Sequence, residues 1–196
     1  MACGGDRLDG SRAFISSDTN NPPSFGCLGF ESVVQSFAPD RQILAGAARC
    51  AANANIDGTC SLSNNLVKIV ETYQPATGYQ CYPHGALTAG HADLYSVVRI
   101  SAASSIVYAY INSVQQEQMS GFATTNANMQ IDEWGEEAID ASHDSGCSGW
   151  SGFGSFTSWQ RYGYDSGTWK TPVSSTVWQS CWSVGSLVSG GFNVSR

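Results

Sequence analysis

The hydrophobic positions between residues 92 and 117 recur at intervals of three or four, the spacing of one face of an α-helix. The main stripe consists of Val97, Ile100, Ala103, Val107, Ile111 and Val114. Further apolar residues at positions 98, 102, 106 and 109 widen this stripe to most of the helix circumference. A helix that is apolar on so many sides is buried inside a domain. We therefore predict a buried central helix over about residues 92–117.

Shorter elements are predicted before this helix. Residues 31–37 form one short helix that ends before a proline, because the residue preceding proline leaves the α region. An aspartate at position 40 caps a second short helix over residues 41–52. Residues 66–73 are rich in β-branched side chains and predict a strand, and turn residues across 75–90 predict a loop.

The two ends of the chain differ from its middle. Residues 1–24 are polar and interrupted by glycine and proline pairs, which predicts an extended arm with little regular structure. Residues 147–196 are rich in Gly, Ser and aromatic side chains, with strand-like runs at 156–162 and 175–184. The fold class that follows is α+β in one domain over 1–196, with an antiparallel sheet built largely from the C-terminal third.

Composition and charge exclude several classes of protein. Hydrophobic residues make up 42% of the chain and charged residues only 13%, so a charge-rich disordered chain is excluded. The net charge of −7 repels phosphate backbones, so we expect no nucleic-acid partner. The longest apolar stretch contains Asp93 and Arg99, which are costly inside a bilayer, so we expect no transmembrane segment.

The cysteines indicate an oxidising compartment and a disulfide-stabilised fold. The seven cysteines are widely spaced, without the close pairs that structural zinc sites use: Cys3, Cys27, Cys50, Cys60, Cys81, Cys147 and Cys181. Three disulfides and one odd thiol are the expected count, and the odd thiol is available for an intermolecular bond. The first ten residues lack the apolar region of a signal peptide, which leaves either a cytosolic protein or a mature secreted chain with an added start Met. The cysteines favour the second, so we expect a secreted protein located outside the cell.

Aromatic residues are concentrated in the last third of the chain. Five of the six tryptophans lie between residues 150 and 182. Small glycine and serine residues between them leave rings exposed, and exposed rings stack on the C–H faces of sugars. The candidate binding residues are Trp150, Trp159, Tyr162, Tyr164 and Trp169. The alternative is that these rings pack in a core.

An acidic stretch over residues 132–144 supplies the candidate catalytic groups. If it is helical, several carboxylates lie four residues apart on one face, where mutual repulsion favours a general acid. The catalytic candidates, suited to glycoside hydrolysis, are Glu133, Glu136, Glu137 and Asp140. A solvated acidic face and a cation site are the alternatives, although the spacing of a calcium loop is absent.

These features favour a secreted, toxin- or effector-like protein that binds a cell-surface or cell-wall target, a glycan or a receptor, through its aromatic C-terminal region. The first alternative is an extracellular glycan hydrolase that uses carboxylates of the 132–144 stretch. The second is a structural or self-assembling extracellular protein. The three histidines match no standard metal-binding spacing, and nucleotide-binding and nucleophile motifs are absent. We therefore predict no metal and no cofactor.

Overall fold

A computed structural model of the chain describes residues 8–21, 27–37, 40–51, 60–62, 64–101, 103–122, 129–130, 134–138, 151–163, 167–171, 183–186, 188 and 190–195. Every regular element in these ranges is a β-strand. The strands are β1 Leu8–Asn21, β2 Cys27–Phe37, β3 Asp40–Cys50, β4 Leu66–Gln74, β5 Gly78–Ala86, β6 Asp93–Val98, β7 Val107–Ile111, β8 Val114–Met119, β9 Met129–Gln130, β10 Trp134–Ala138, β11 Ser151–Gly163, β12 Thr168–Lys170, β13 Ser183–Val184 and β14 Phe192–Ser195.

The described strands form two antiparallel sheets that pack face to face as a sandwich. The larger sheet has eight strands in the order β13-β14-β11-β1-β6-β7-β8, with β12 also paired to β11. The smaller sheet has six strands in the order β10-β2-β3-β4-β5, with β9 also paired to β2. Both sheets combine hairpins of consecutive strands with pairings between strands distant in sequence, such as β1 with β11 and β10 with β2.

The main core lies between the two sheets. Alternate residues of β6 and β7, such as Val97 and Ala109, meet alternate residues of β3 and β4, such as Ile43 and Val70. Trp159 of β11 is also fully buried in this core. A second apolar cluster covers the opposite face of the smaller sheet, where Val67 and Ile69 pack with both cysteines of a disulfide and with neighbouring small residues.

The predicted central helix is wrong. Its residues form β6, β7 and β8, joined by a turn near residues 101–104 and by a two-residue turn at Asn112 and Ser113. Both turn residues have positive φ, as the favoured hairpin turns require. Ile100 and Val114, which the helical stripe placed on one buried face, are 59% and 61% exposed. The apolar residues instead follow the period of two that a half-buried strand requires.

The predicted α+β class is therefore wrong, and the described chain is all-β. The two short helices expected at 31–37 and 41–52 are strands β2 and β3, and the loop expected at 75–90 contains β5. The N-terminal arm contains β1, which pairs on one side with β11 and on the other with β6. The antiparallel sheet is not confined to the C-terminal third, because β1, β6 and β7 form its centre. The strand predicted at 66–73 is confirmed as β4.

A disulfide joins Cys60 to Cys81, so the prediction of disulfide bonding is confirmed. Cys50 is also disulfide-bonded. Cys3, Cys147 and Cys181 lie outside the described residues. In the part of the chain that the structure describes, there is no helix long and apolar enough to cross a bilayer.

Candidate ligand-binding face

The outer face of the larger sheet, which points away from the smaller sheet, is lined by side chains that alternate with core residues. In β7, Val107, Ala109 and Ile111 are buried in the core, so Tyr108 and Tyr110 belong to the outer face. In β1, Ala13 and Ile15 are buried in the core, and the residues between and beside them belong to the outer face.

The register of the strands arranges this outer face into three rows across the sheet. The first row is Trp169, Tyr162, Gly10, Val98, Tyr108 and Gln118. The second row is Gln160, Arg12, Ser96, Tyr110 and Gln115. The third row is Thr157, Phe14 and Leu94. We call the five rings of these rows, Phe14, Tyr108, Tyr110, Tyr162 and Trp169, the aromatic face.

A bulge in β11 decides which of its side chains reach this face. Phe156 and Trp159 are both in the core, although three positions separate them in the strand. Ser158 has a φ of 52°, and the pairing with β1 shifts register at this point. The extra residue reverses the alternation. Gln160 and Tyr162 consequently share a face with Arg12, while Trp159 and Arg161 are buried.

Trp169 contacts two side chains, Tyr162 and Arg12, and Arg12 is itself held by Gln160. Its ring meets the Tyr162 ring edge to face, with the centroids 5.2 Å apart. The Arg12 guanidinium lies 4.2 Å from the centroid of the Trp169 ring, within the range of a cation–π contact. Arg12 Nε and Nη2 both donate to Gln160 Oε1, at 2.9 and 2.6 Å. Partial burial lowers the pKa of the Arg12 guanidinium, which remains charged.

A second pair of rings lies across the sheet from Trp169. The ring centroids of Tyr108 and Tyr110 are 6.3 Å apart in β7. Burial raises the pKa of the Tyr110 phenol, and the neighbouring Tyr108 raises it further, so the Tyr110 hydroxyl keeps its proton at neutral pH and can donate a hydrogen bond. Phe14 is 39% exposed in the third row.

The structure places three of the five predicted binding residues. Tyr162 and Trp169 are half-buried neighbours on the aromatic face. Trp159 is fully buried, where it packs edge to face against Phe192 and under the Arg161 guanidinium, and its ring is therefore not available to a ligand. Trp150 and Tyr164 lie outside the described residues.

The acidic candidates are not brought together by the described part of the structure. Glu136 and Glu137 lie in β10, where they pair with Phe30 and Gly29 of β2. The helical spacing that motivated this cluster therefore does not hold over residues 134–138. Glu133 and Asp140 lie outside the described residues.

A carboxylate that the sequence did not single out lies on the outer face of the smaller sheet. Glu71 of β4 is 3% exposed and pairs with Leu44 on one side and Cys81 on the other. The adjacent row contains Gln42, Tyr73 and Tyr79, and the Tyr79 hydroxyl donates to Gln42 Oε1 at 3.2 Å. Diagonal neighbours of this kind have Cα atoms about 7–8 Å apart, so Glu71 lies close to a polar, half-exposed group.

Two contacts between titratable side chains connect the sheets, and each joins one residue of the smaller sheet to one of the larger sheet. Lys68 Nζ lies 3.7 Å from Asp93 Oδ2, and His84 Nε2 lies 3.7 Å from Glu117 Oε1. Burial lowers the pKa of the His84 imidazole, although the Glu117 carboxylate raises it in part. The described residues contain no group of three or more His, Cys, Asp or Glu side chains that could hold a metal ion.

No protein-family model and no curated protein matches the sequence. Among solved structures, the chain is similar to scytalido-glutamic peptidase, whose crystal structure contains a transition-state analogue inhibitor. The likeness is one of fold. It has a TM-score of 0.52 and 14% sequence identity, and it covers 97% of this chain and 93% of the peptidase chain.

Sequence reasoning missed Arg12, Phe14, Tyr108 and Tyr110. For the two tyrosines a signal was present, because residues 107–111 alternate apolar and tyrosine positions with the period of a strand. The helical interpretation of the same segment obscured this alternation. Arg12 and Phe14 had no comparable signal, because their place on the face depends on pairing with β6 and β11.

Proposed function

We propose that the protein is secreted and binds a glycan of a cell surface or cell wall through the aromatic face. The observation that carries this proposal is the group formed by Tyr162, Trp169, Arg12 and Gln160, in which each side chain contacts another. A ring held in this way has lost its rotational freedom before the ligand arrives, which lowers the entropic cost of binding.

The chemistry of the aromatic face suits a sugar. Sugar rings have an apolar C–H face and a polar rim of hydroxyl groups. Aromatic rings accept the apolar face, while tyrosine hydroxyls and amide side chains such as Gln115 and Gln118 hydrogen-bond with the rim. The disulfide between Cys60 and Cys81 supports an extracellular location, because disulfides persist in oxidising compartments. A toxin- or effector-like role stays a prediction.

Retention on insoluble polysaccharides tests the proposal. The wild-type chain is expected to bind at least one wall polymer, and Trp169→Ala is expected to weaken this binding about tenfold or more, because it removes a ring whose neighbours hold it in place. Tyr82→Ala is the matched control, since Tyr82 is 37% exposed on the smaller sheet. Equal binding by Trp169→Ala and the wild type, with both folded by circular dichroism, would reject the aromatic face as the site.

A second candidate function is peptide-bond hydrolysis at Glu71. It is favoured by the burial of this carboxylate beside the polar row of Gln42, Tyr73 and Tyr79, and by the fold shared with a glutamic peptidase. A carboxyl group shielded from water serves as a general acid or base, and an amide donor beside it stabilises a developing oxyanion.

Cleavage of a peptide library between about pH 3 and pH 7 tests this second candidate. If Glu71 is catalytic, Glu71→Gln abolishes cleavage while Glu117→Gln retains it. Cleavage that persists in a folded Glu71→Gln variant excludes this role for Glu71. Since the two candidates use opposite sheets, Trp169→Ala is expected to leave the cleavage rate on short peptides unchanged.

A further inference from the structure

We infer that the ligand of the aromatic face is a linear, uncharged polysaccharide that lies across the strands and contacts both ends of the face. This inference rests on the proposed function and adds the class of glycan and its orientation. It starts from the separation of the two aromatic groups, Trp169 with Tyr162 at one end and Tyr108 with Tyr110 at the other.

The separation follows from the strand order. Tyr162 and Tyr108 lie in one row, and the strands that carry them, β11 and β7, are separated by β1 and β6. Three interstrand spacings amount to about 14 Å, and the position of Trp169 on β12 adds a fourth. A single sugar ring is much shorter than this distance. A ligand that contacts both groups must therefore be a chain.

The positions between the two aromatic groups carry no aromatic ring. In the first row the positions between Tyr162 and Tyr108 are Gly10 and Val98, and in the second row Ser96 lies between Arg12 and Tyr110. Gly10, Ser96 and Val98 are themselves buried, and a Cβ atom added to Gly10 would lie 2.8 Å from Val98 Cγ2 and 3.0 Å from Tyr162 Cβ. These positions carry no ring and form the floor between the two aromatic groups, so a polymer that contacts both groups passes over them.

The charges of the aromatic face and of the whole chain favour an uncharged polymer. Arg12 is the only charged side chain in the three rows, and its Nε and Nη2 groups already donate to Gln160 while its guanidinium lies on Trp169. The whole chain has a net charge of −7, which repels a polyanion as it approaches. Arg12 therefore positions Trp169, and its charge is not arranged to receive an acidic polymer.

The experiment compares neutral polymers (cellulose, xylan, laminarin and chitin) with the polyuronates alginate and polygalacturonate. For a neutral polymer that is retained, affinities are then measured for its oligosaccharides of increasing length. We expect the affinity to increase until the oligosaccharide spans both aromatic groups and then to level off. Polyuronates are expected to bind more weakly than the neutral polymer at low salt.

Variants of Tyr108 and Tyr110 test whether the ligand contacts both aromatic groups. The double variant Tyr108→Leu with Tyr110→Leu keeps apolar volume on the face and removes both rings. It is expected to lose about tenfold in affinity for the long oligosaccharide and nothing for the disaccharide. Tyr82→Leu, at a position of the smaller sheet that is 37% exposed, is the control.

The possible failures are distinguishable. If Trp169→Ala weakens binding but the Tyr108 and Tyr110 double variant binds every length like the wild type, the extended site is wrong and the proposed function stands. If the affinity does not depend on oligosaccharide length, the extended site is likewise wrong and the proposed function stands. Tighter binding of polyuronates overturns the choice of an uncharged polymer. Retention of none of the polymers overturns both the inference and the proposed function.

Discussion

Lys68 and Asp93 join the two sheets of the sandwich, with Lys68 Nζ 3.7 Å from Asp93 Oδ2. Lys68 belongs to β4 of the smaller sheet, and Asp93 begins β6 of the larger one. The Asp93 side chain is only 5% exposed and also accepts a hydrogen bond from Asn112 Nδ2. A carboxylate so far from water requires its partners, because an uncompensated buried charge is strongly destabilising.

We expect Lys68→Met to lower the free energy of unfolding by about 1–3 kcal/mol, below the usual range for buried pairs because Lys68 is 23% exposed. In the Lys68→Met background, Asp93→Asn removes the carboxylate charge that has lost its lysine partner. The double variant is therefore expected to lose less unfolding free energy than the sum of the two single losses. Urea unfolding of the four proteins measures this coupling. Lys170→Met, at an exposed position, is the control, and strictly additive losses would show that the pair is not coupled.

The bulge at Ser158 is expected to respond to substitutions that change the cost of positive φ. Ser158→Gly should raise the free energy of unfolding by about 1 kcal/mol, because glycine adopts this conformation without the steric penalty of a side chain. Ser158→Val should destabilise the fold by at least as much, since β-branched residues are the least tolerant of it. Thermal unfolding of both variants and the wild type ranks their stabilities. If both substitutions change the stability equally, the positive φ of Ser158 does not determine the effect.

Removal of the disulfide between Cys60 and Cys81 is expected to cost about 3 kcal/mol, because the bond closes a loop with a sequence separation of 21. For a chain of this size, that loss lowers Tm by about 6–12 °C. The double variant Cys60→Ser with Cys81→Ser is compared with the wild type by calorimetry. If reductant lowers the Tm of the double variant as much as that of the wild type, the stabilisation comes from other cysteines.

His84 is expected to make stability depend on pH. Burial lowers the pKa of its imidazole in the folded state below the ordinary value of about 6.5. The unfolded chain therefore binds the proton more readily, and stability decreases as the pH falls from about 6.5 toward the folded-state pKa. His84→Gln should remove this part of the decrease and flatten the dependence of the unfolding free energy on pH.

Denaturant unfolding at several values between about pH 7 and pH 5 measures this slope. His91→Gln is the comparison for the loss of one histidine, because the His91 side chain is 65% exposed and its Nδ1 lies 3.7 Å from Asp93 Oδ1 rather than beside Glu117. The expectation is contradicted if His84→Gln retains the slope of the wild type, or if His91→Gln flattens it to the same degree.

Segments with one clear period were predictable from the sequence. Residues 66–73 are rich in β-branched side chains and bounded by turn residues, so the sequence pattern predicts them as a strand. They form most of β4, which is paired on both sides. The run at 156–162 lies within β11. Wide spacing of the cysteines indicated disulfide bonding, which Cys60 and Cys81 confirm. In each case the signal is local, because it depends on neighbouring residue types.

Segments that satisfy two periods were not predictable. Residues 92–117 contain so many apolar side chains that both a spacing of three to four and a spacing of two find matches. Local propensity is a weak preference, and pairing with distant strands decides such cases. Residues 93–98 pair with β1 on one side and β7 on the other, and the β1 partners lie about 80 positions earlier in the chain. This pairing cannot be read from the segment itself.

The sequence alone determined that aromatic residues are concentrated near the C-terminus and that Tyr162 and Trp169 are among them. Only the tertiary structure decided which rings face outward. The bulge at Ser158 directs Trp159 into the core and Tyr162 to the surface, and the hairpin of β7 and β8 adds Tyr108 and Tyr110 from a different part of the chain. The physical reason is that one extra residue reverses the alternation of a strand, and that a sheet face is assembled by hydrogen bonds between strands remote in sequence.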